Sequence, residues 1–138
     1  FTNYFLKKYY YPEPCMIGSK ISNYVRSMKD ISDGFLTDLK KMLNDKYGAQ
    51  IILEKVPLSL KLKYLVKNKY FKKLKYLNSG DDYELIIVSN KKFRNKILKF
   101  STENKIKITR VGKIIKNSGI YNDSNKLINI SREYDHFL

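Results

Sequence analysis

Two short acidic strings in this chain carry residue types that bind divalent metal ions and phosphate. The first is DISD, residues 30–33, which places Asp30, Ser32 and Asp33 directly ahead of an amphipathic run. If a strand ends and a helix begins here, the turn presents backbone N–H groups and the positive end of the helix dipole. Such a turn suits phosphate, and its carboxylates can hold Mg²⁺. The competing interpretation is helix capping alone, for which Asp and Ser are common.

The second string is NSGDDYEL, residues 78–85. Its small residues, followed by Asp81 and Asp82, predict a tight turn that feeds a buried strand, and a polar turn without further function is the alternative. Tyr83 and Glu84 alternate faces, so at most one of them points to a given site. Carboxylates gathered in a cationic protein are costly unless a positive group is bound between them. Together the two strings predict a magnesium–nucleotide site at one edge of a sheet.

The chain is strongly basic, with 28 basic and 13 acidic residues and a formal net charge of +15. Only four of the basic residues are Arg, whereas base reading and bidentate phosphate recognition favour Arg, so the composition argues against a dedicated nucleic-acid reader. Lys, Ile and Asn are abundant while Ala occurs once, which is typical of an AT-rich coding sequence drifting at solvent-facing positions. The alternative is a basic surface that steers phosphorylated substrates.

The length of 138 residues suits one domain, and a hydrophobic fraction of 43% argues against disorder. No apolar run approaches the roughly 18 residues needed to cross a bilayer, so we expect a soluble protein that does not span a membrane. One Cys and one His exclude an internal disulfide and a Cys/His zinc cluster, and favour a cytoplasmic setting. Because the chain begins at Phe1 without a leader, we expect it to be the later part of a longer polypeptide.

Hydrophobic spacing predicts the elements around the first string. We expect residues 1–14, with their Pro-Glu-Pro ending, to form an extended linker, and residues 19–28 to form a short helix. From Asp33 onward, apolar residues recur at helical spacing and form one stripe: Phe35, Leu36, Leu39, Met42 and Leu43. Asp33 suits the N-cap or the first turn of this helix, and Gly48 its left-handed C-cap.

The rest of the chain alternates strands with helices. The patterns predict strands in residues 49–57, 82–90 and 105–115, a helix in residues 91–104 with a stripe of Phe93, Ile97 and Phe100, and turns at NSG and NDSN near the end. The basic segment 58–77 is rich in helix formers but ambiguous. We therefore predict an α/β domain of the α+β layered type over residues 15–138, with a mixed sheet packed against helices.

These strings resemble those of a known family. DISDGFLTDL is similar to the D-[IL]-S-D-G-L-x-x-D-L string of thiamine-monophosphate kinase, and SGDDYEL to its S-G-G-[DE]-D-Y-E-L string. ITRVGKI resembles its penultimate strand, YYYPEP the segment that leads into its second domain, and YDHF, residues 134–137, its C-terminal signature. Order and spacing agree over nearly the whole chain. The first string is shared across the wider aminoimidazole-ribonucleotide-synthetase superfamily, whereas YDHF together with the SGDDYEL string is more specific.

The resemblance implies the C-terminal α/β domain of an enzyme that transfers the γ-phosphoryl group of ATP to thiamine monophosphate, giving thiamine diphosphate. It also implies an N-terminal ATP-binding domain, absent from this chain, which pairs across a homodimer, so this chain alone is expected to be inactive. Carried over by position, Asp30 and Asp33 would be Mg²⁺ ligands and Ser32 would contact ATP. Asp81 would bind thiamine monophosphate, and Tyr134 would pack on its ring system. Such a transfer depends on positioning and charge neutralisation rather than a covalent nucleophile.

Other functions stay open on the sequence alone. Another ATP-dependent enzyme of the superfamily, such as a selenophosphate or aminoimidazole-ribonucleotide synthetase or a hydrogenase maturation factor, would share the first string. A basic nucleic-acid-binding module would instead show steep salt dependence that is independent of Asp30 and Asp33. A degenerate or split gene product without function is a third possibility. We expect structural roles for Cys15 and His136, and we expect tyrosines 9–11 to pack onto the domain.

Overall fold

The computed structural model describes residues 2–11, 13, 15–67, 73–77 and 84–130. Its helices are α1 (Thr2–Tyr10), α2 (Gly18–Ile21), α3 (Phe35–Leu43), α4 (Leu60–Lys67), α5 (Lys73–Tyr76) and α6 (Arg94–Glu103). Its strands are β1 (Ser27–Asp30), β2 (Gly48–Ile51), β3 (Leu85–Val88), β4 (Gly112–Ile115) and β5 (Gly119–Asn122). Short 3₁₀ turns lie at Ser22–Tyr24, Leu53–Lys55 and Lys91–Phe93. None of the helices in the described ranges is long and apolar enough to cross a membrane.

The strands of the described part of the chain form two sheets. In the smaller sheet, β1 pairs antiparallel with β3 and places Asp30 opposite Leu85. In the larger sheet, β2 lies between β4, which is antiparallel to it, and β5, which is parallel to it. These mixed strand directions, with helices packed on the strands, confirm the predicted α/β architecture.

Helix α3 supplies one side of the hydrophobic core. Four residues of its predicted stripe are buried, and Met42 packs against them partly buried. They form one cluster with apolar residues of both sheets: Phe35, Leu36, Leu39 and Leu43 with Ala49, Ile51, Ile86 and Ile120. Full burial of an apolar side chain of this size contributes about 1.5–3 kcal/mol. Because α3 follows the first acidic string directly, this packing also fixes where that string lies.

The N-terminal end of α3 differs from the prediction. Gly34, not Asp33, is the N-cap residue, with φ 110° and ψ 149°. This region of backbone space is essentially restricted to glycine, because a side chain there would be strained. Asp33 therefore lies one residue before the cap, in the turn itself.

The C-terminal end of α3 also lies earlier than predicted. Asn44 adopts the left-handed conformation at φ 50°, and its N–H donates to the carbonyl oxygens of Lys40 and Lys41. Gly48 instead opens β2, where an added Cβ would lie 2.0 Å from the carbonyl oxygen of Asn117. The absence of a side chain at Gly48 thus serves the close approach of neighbouring backbone, not helix termination.

The extended conformation predicted for residues 1–14 is wrong for most of this segment, because Thr2–Tyr10 is a helix. The two prolines that suggested an extended chain follow this helix in sequence and do not interrupt it. Helix α1 has no buried residue, and the tyrosines at 9–11 are exposed instead of packed onto the domain. Its described link to α4 is a cation–π contact, with the Lys61 ammonium 4.1 Å from the ring centroid of Tyr4.

The remaining elements match the predicted types but are shorter. The helix predicted over residues 19–28 ends at Tyr24, and β1 follows it. Of the strand predicted over residues 105–115, only β4 is regular. The ambiguous basic segment is helical in α4 and α5. The stripe predicted for α6 is half-buried: Phe93, Ile97 and Phe100.

Candidate functional site

Strand β1 carries the first acidic string to the start of α3, and residues 30–34 are called the acidic turn below. Asp30 is the last residue of β1, and its side chain is exposed. The pairing with β3 continues one residue further, since the Ile31 N–H donates to the Glu84 carbonyl oxygen at 2.9 Å. Ile31 is itself buried in the hydrophobic cluster. The acidic turn therefore starts from a fixed position.

Asp38, in the first turn of α3, holds the acidic turn from the inside. Its side chain is fully buried, and its Oδ2 accepts hydrogen bonds from the N–H groups of Ser32 at 2.9 Å and Asp33 at 2.8 Å. The Lys29 ammonium lies 3.6 Å from Oδ1, which accepts no hydrogen bond within the part of the chain that the structure describes. Burying a carboxylate is costly, and these amides and this ammonium offset part of that cost.

Asp38 was not singled out from the sequence, although the pattern contained a signal. It follows Phe35 by three residues and precedes Met42 by four, so it lies on the apolar stripe of the helix. Carboxylates are almost never fully buried unless they are paired. An Asp on a core-facing stripe, directly after an acidic turn, therefore indicates a partner within that turn.

The prediction that the turn offers backbone N–H groups to phosphate is wrong for the amides whose partners the structure shows. The N–H groups of Ser32 and Asp33 are bonded to Asp38. The N–H of Leu36, in the first turn of α3, donates to the carbonyl oxygen of Leu77 at 3.2 Å. The Leu77 carbonyl oxygen lies on a segment that local sequence reasoning does not connect to the turn, whereas Asp38 lies on the apolar stripe of α3, which did contain a signal. These three amides are therefore bonded to acceptors within the chain, whereas the side chains of Ser32 and Asp33 are exposed.

Asp33 faces a cation in the structure. The Lys41 ammonium, on the next turns of α3, donates a hydrogen bond to Asp33 Oδ2, and both side chains are about half exposed. That hydrogen bond raises the pKa of Lys41, desolvation opposes it, and the negative charges of Asp33 and Asp38 add to it. The Asp33 carboxylate is therefore oriented toward a position that accommodates positive charge.

Two backbone hydrogen bonds connect the region of the first acidic string with the region of the second. On one side the Ile31 N–H bonds to the carbonyl oxygen of Glu84, and on the other the Leu36 N–H bonds to that of Leu77. Leu77 and Glu84 are the residues that flank segment 78–83, which contains Asp81. Leu77 and Glu84 are therefore both hydrogen-bonded beside the acidic turn. This arrangement is what a site shared by the two strings requires.

Asp30 ends β1, and Ser32 and Asp33 follow it ahead of α3; all three residues are exposed. Asp81 and Tyr134 lie outside the described residues, as does His136. Cys15 is half-buried and carries a free thiol. The ligand-binding roles of the five predicted site residues stay predictions.

The donor set of the acidic turn fits part of a magnesium site. Asp30 is exposed and Asp33 about half exposed, and their hard carboxylate oxygens are ligands that Mg²⁺ prefers. Within the described ranges no group of three His, Cys, Asp or Glu side chains is arranged to hold a metal ion. Mg²⁺ usually keeps several waters and binds one or two carboxylates plus substrate phosphate. The carboxylates of Asp30 and Asp33 would thus be two of the ligands of such a site.

The fold and the turn define a class: an α/β domain whose acidic strand-to-helix turn is presented at the end of a strand. The family model described as AIR synthase related protein, C-terminal domain, matches residues 3–122. The chain therefore belongs to the AIR synthase related proteins, and it corresponds to their C-terminal domain.

Two curated relatives match nearly the whole chain, and both are named thiamine-monophosphate kinase. The protein of Buchnera aphidicola subsp. Schizaphis graminum (strain Sg) is 35% identical over 99% of this chain. That of Buchnera aphidicola subsp. Acyrthosiphon pisum (strain APS) is 31% identical over 98% of it. The chain spans 43% of the length of each relative.

Solved structures share the fold. Thiamine-monophosphate kinase from Stenotrophomonas maltophilia K279a matches with a TM-score of 0.76 and 24% identity over 85% of this chain and 37% of its own. The Aquifex aeolicus enzyme, described as complexed with AMPPCP and TMP, matches with a TM-score of 0.65 over 83% and 35%. E. coli HypE, a hydrogenase maturation protein, matches with a TM-score of 0.68 and 11% identity over 88% and 41%. At these identities the likeness shows the fold alone.

Proposed function

We propose that the complete protein transfers the γ-phosphoryl group of ATP to thiamine monophosphate, giving thiamine diphosphate, and that this chain contributes half of the active site. The curated relatives are named for this activity, and the Aquifex aeolicus structure is described as a complex with AMPPCP and TMP. Because the chain spans 43% of the relatives' length, the remaining part of the protein would supply the other half of the site.

The observation that carries the proposal is the pair of backbone hydrogen bonds that anchors the flanks of segment 78–83 beside the acidic turn. Phosphoryl transfer needs a metal–phosphate site and an acceptor site next to each other, since little else than positioning and charge neutralisation is required of the protein. Asp30 and Asp33 would serve the first site and Asp81 the second. The bonds from the Ile31 and Leu36 N–H groups hold Glu84 and Leu77, which flank segment 78–83, beside the acidic turn, and this supports the proposal.

Each predicted residue then has one task. Asp30 and Asp33 would hold Mg²⁺, which supplies neutralisation of the phosphate charge when bound. Ser32 would donate its hydroxyl proton to a phosphate oxygen of ATP. Asp81 would bind thiamine monophosphate, and Tyr134 would pack on its ring system. None of these residues acts as a nucleophile, because the attacking oxygen belongs to the substrate phosphate.

The rest of the proposal concerns the complete protein. We place an ATP-binding N-terminal domain upstream of this chain and a homodimer formed through that domain. We also place the complete protein in the cytoplasm, where a thiol such as that of Cys15 stays reduced. The 138-residue chain alone would then turn over no ATP with thiamine monophosphate. Measurable turnover by this chain would contradict the division of the active site between two domains.

The test uses the complete two-domain protein and a panel of phosphoryl acceptors of the superfamily. We expect thiamine monophosphate to be the preferred acceptor, and Asp30→Asn or Asp33→Asn to lower kcat by about 100-fold or more, because transition-state charge is no longer neutralised. Asp45→Asn, at an exposed position after α3, is the matched control and should leave kcat unchanged. Preference for another acceptor would indicate a different enzyme of the superfamily, such as a relative of HypE. Salt-dependent binding of nucleic acid that is unaffected by both Asp substitutions, without turnover, would favour a binding module.

A further inference from the structure

We propose that Asp38 is a positioning residue that commits the amides of Ser32 and Asp33 to the protein interior. The acidic turn would then recruit phosphate through its side chains and a bound divalent cation, and not through these main-chain N–H groups. This inference rests on the proposed function for the identity of the ligand. The geometric part, which concerns the turn alone, does not depend on it.

Asp38 is fully buried. Its side chain has no exposed surface, yet its neighbours on the same face of α3 are apolar core residues. Burial of a carboxylate in such a place is costly unless the hydrogen bonds and cations around it compensate for lost hydration. The compensating groups here are the two amides of the acidic turn and the Lys29 ammonium. The buried Asp38 carboxylate thus links the acidic turn to helix α3.

The amides of Ser32 and Asp33 point toward the protein interior. One carboxylate oxygen accepts both N–H groups, at 2.9 and 2.8 Å, so both peptide planes are fixed with their hydrogens pointing inward. The side chains of Ser32 and Asp33 are exposed on the same turn. Charge-assisted bonds of this kind are about twice as strong as neutral ones, which limits rotation of either peptide. Asp38 therefore orients the ligand-facing side chains without facing the ligand itself.

The direction of these amides limits how the acidic turn can bind phosphate. Many phosphate sites at the start of a helix use main-chain N–H groups directly. Here the amides of Ser32 and Asp33 are bonded to Asp38, and that of Leu36 is bonded to the Leu77 carbonyl oxygen. The groups left facing outward include two carboxylates, which repel phosphate unless a cation lies between them. Recruitment of phosphate at this turn should therefore require the metal.

The geometry can be tested first on the unmodified 138-residue chain. A long-range triple-resonance NMR experiment should show scalar couplings through the hydrogen bonds from the amide nitrogens of Ser32 and Asp33 to the side-chain carboxyl carbon of Asp38. The same two amides should exchange slowly with solvent, although their side chains are exposed. Absence of both couplings, with fast exchange, would overturn the positioning role without any substitution in the core.

The metal dependence is tested with Mn²⁺ as a paramagnetic probe for Mg²⁺. In the unmodified chain, Mn²⁺ should broaden resonances of the acidic turn. Asp38→Ala should weaken this binding about 10-fold, as for other residues that orient metal ligands, and Asp38→Asn should restore most of it because its amide oxygen still accepts N–H groups. Asp45→Ala, an exposed Asp beyond the other end of α3, is the matched control and should bind as the unmodified chain does. If Asp38→Ala does not fold, the positioning role is judged from Mn²⁺ binding by Asp38→Asn and from the hydrogen-bond couplings in the unmodified chain.

Inorganic tripolyphosphate then separates the two routes to phosphate. Without metal it should leave the amide resonances of Ser32, Asp33 and Leu36 in place, and with Mg²⁺ it should shift resonances of the acidic turn. Shifts of these three amides by metal-free tripolyphosphate would overturn the inference. If the couplings are present but Mn²⁺ does not bind at this turn, the proposed function fails while the positioning role stands. If Mn²⁺ binds and Asp38→Ala binds it equally well, the positioning role fails while the proposed function stands.

Discussion

At the scale of single residues, two lysines form ion pairs at the acidic turn, one with a buried aspartate and one with an exposed aspartate. Lys29 lies against Asp38 inside the domain, and Lys41 bonds to Asp33 outside it. The inner pair is buried on the carboxylate side, whereas the outer pair is half exposed on both sides. Exposed pairs contribute only about 0–1 kcal/mol. A metal ion bound at Asp33 would therefore displace Lys41 at little cost, whereas Lys29 stabilises the buried Asp38 carboxylate.

Replacing Lys41 with Met should increase the affinity of the turn for Mn²⁺ by about 2–5-fold, because the competing ammonium on Asp33 is removed at a cost of less than 1 kcal/mol. Titration of the unmodified and variant chains, followed by paramagnetic broadening of the turn, measures the difference. Lys40→Met is the matched control, since Lys40 is exposed beside it on the same helix and has no ion pair with a described residue. Equal gains for both variants would show that only the general charge matters.

Replacing Gly34 with Ala should destabilise the domain by about 1–3 kcal/mol, because the N-cap position requires φ 110°, which a residue with a Cβ avoids. Urea denaturation of the two chains measures this difference in the free energy of unfolding. Gly18→Ala is the matched control: a Cβ there would lie 3.2 Å from the flexible Met28 Sδ, and its cost should stay below about 1 kcal/mol. A harmless Gly34→Ala would mean that the turn can adopt a second conformation.

At the scale of elements, the sequence predicted best where local pattern and tertiary packing agree. Helix α3 has a stripe of core residues, and that stripe is buried. The placement of Asp30, Ser32 and Asp33 on one turn followed from it. Helix α1 could not be predicted from a Pro-rich ending that lies beyond it, and the bond from the Leu36 N–H to Leu77 joins segments that no local rule connects. The inward direction of the Ser32 and Asp33 amides depends on Asp38, whose place on the apolar stripe was a signal that the sequence did contain. What the sequence missed are contacts between elements.

Removing residues 1–11 should cost the domain about 1 kcal/mol or less, because α1 buries no residue in the described structure. An isolated helix of this length is marginal in water, so its amides should exchange with solvent much faster than those of α3. Urea denaturation and amide exchange measure the two effects. Leu39→Ala in α3 provides the contrast, since loss of a core leucine should cost about 2–5 kcal/mol. Unfolding of the shortened chain would show that α1 belongs to the core.

At the scale of the whole molecule, the net charge of +15 has two competing explanations. If the lysines accumulated by drift of an AT-rich coding sequence at exposed positions, they have no function, and their mutual repulsion would destabilise the folded state. A functional surface would instead concentrate phosphate-bearing ligands near the acidic turn. The proposed metal site would need only local carboxylates and a cation, which favours the first explanation.

Three exposed lysines outside the acidic turn, Lys107, Lys116 and Lys126, allow this choice to be tested. The triple Lys→Gln variant should raise the melting temperature by about 1–3 °C at low salt, because self-repulsion falls, and by less at about 0.5 M NaCl, where the charges are screened. Its affinity for Mn²⁺ at the acidic turn should stay within about 2-fold of the unmodified chain, since the three side chains are not part of the turn. In the complete enzyme, kcat/KM for thiamine monophosphate should likewise be unchanged. A fall in kcat/KM that disappears at high salt would instead show that these lysines steer the substrate, because only long-range attraction is lost on screening.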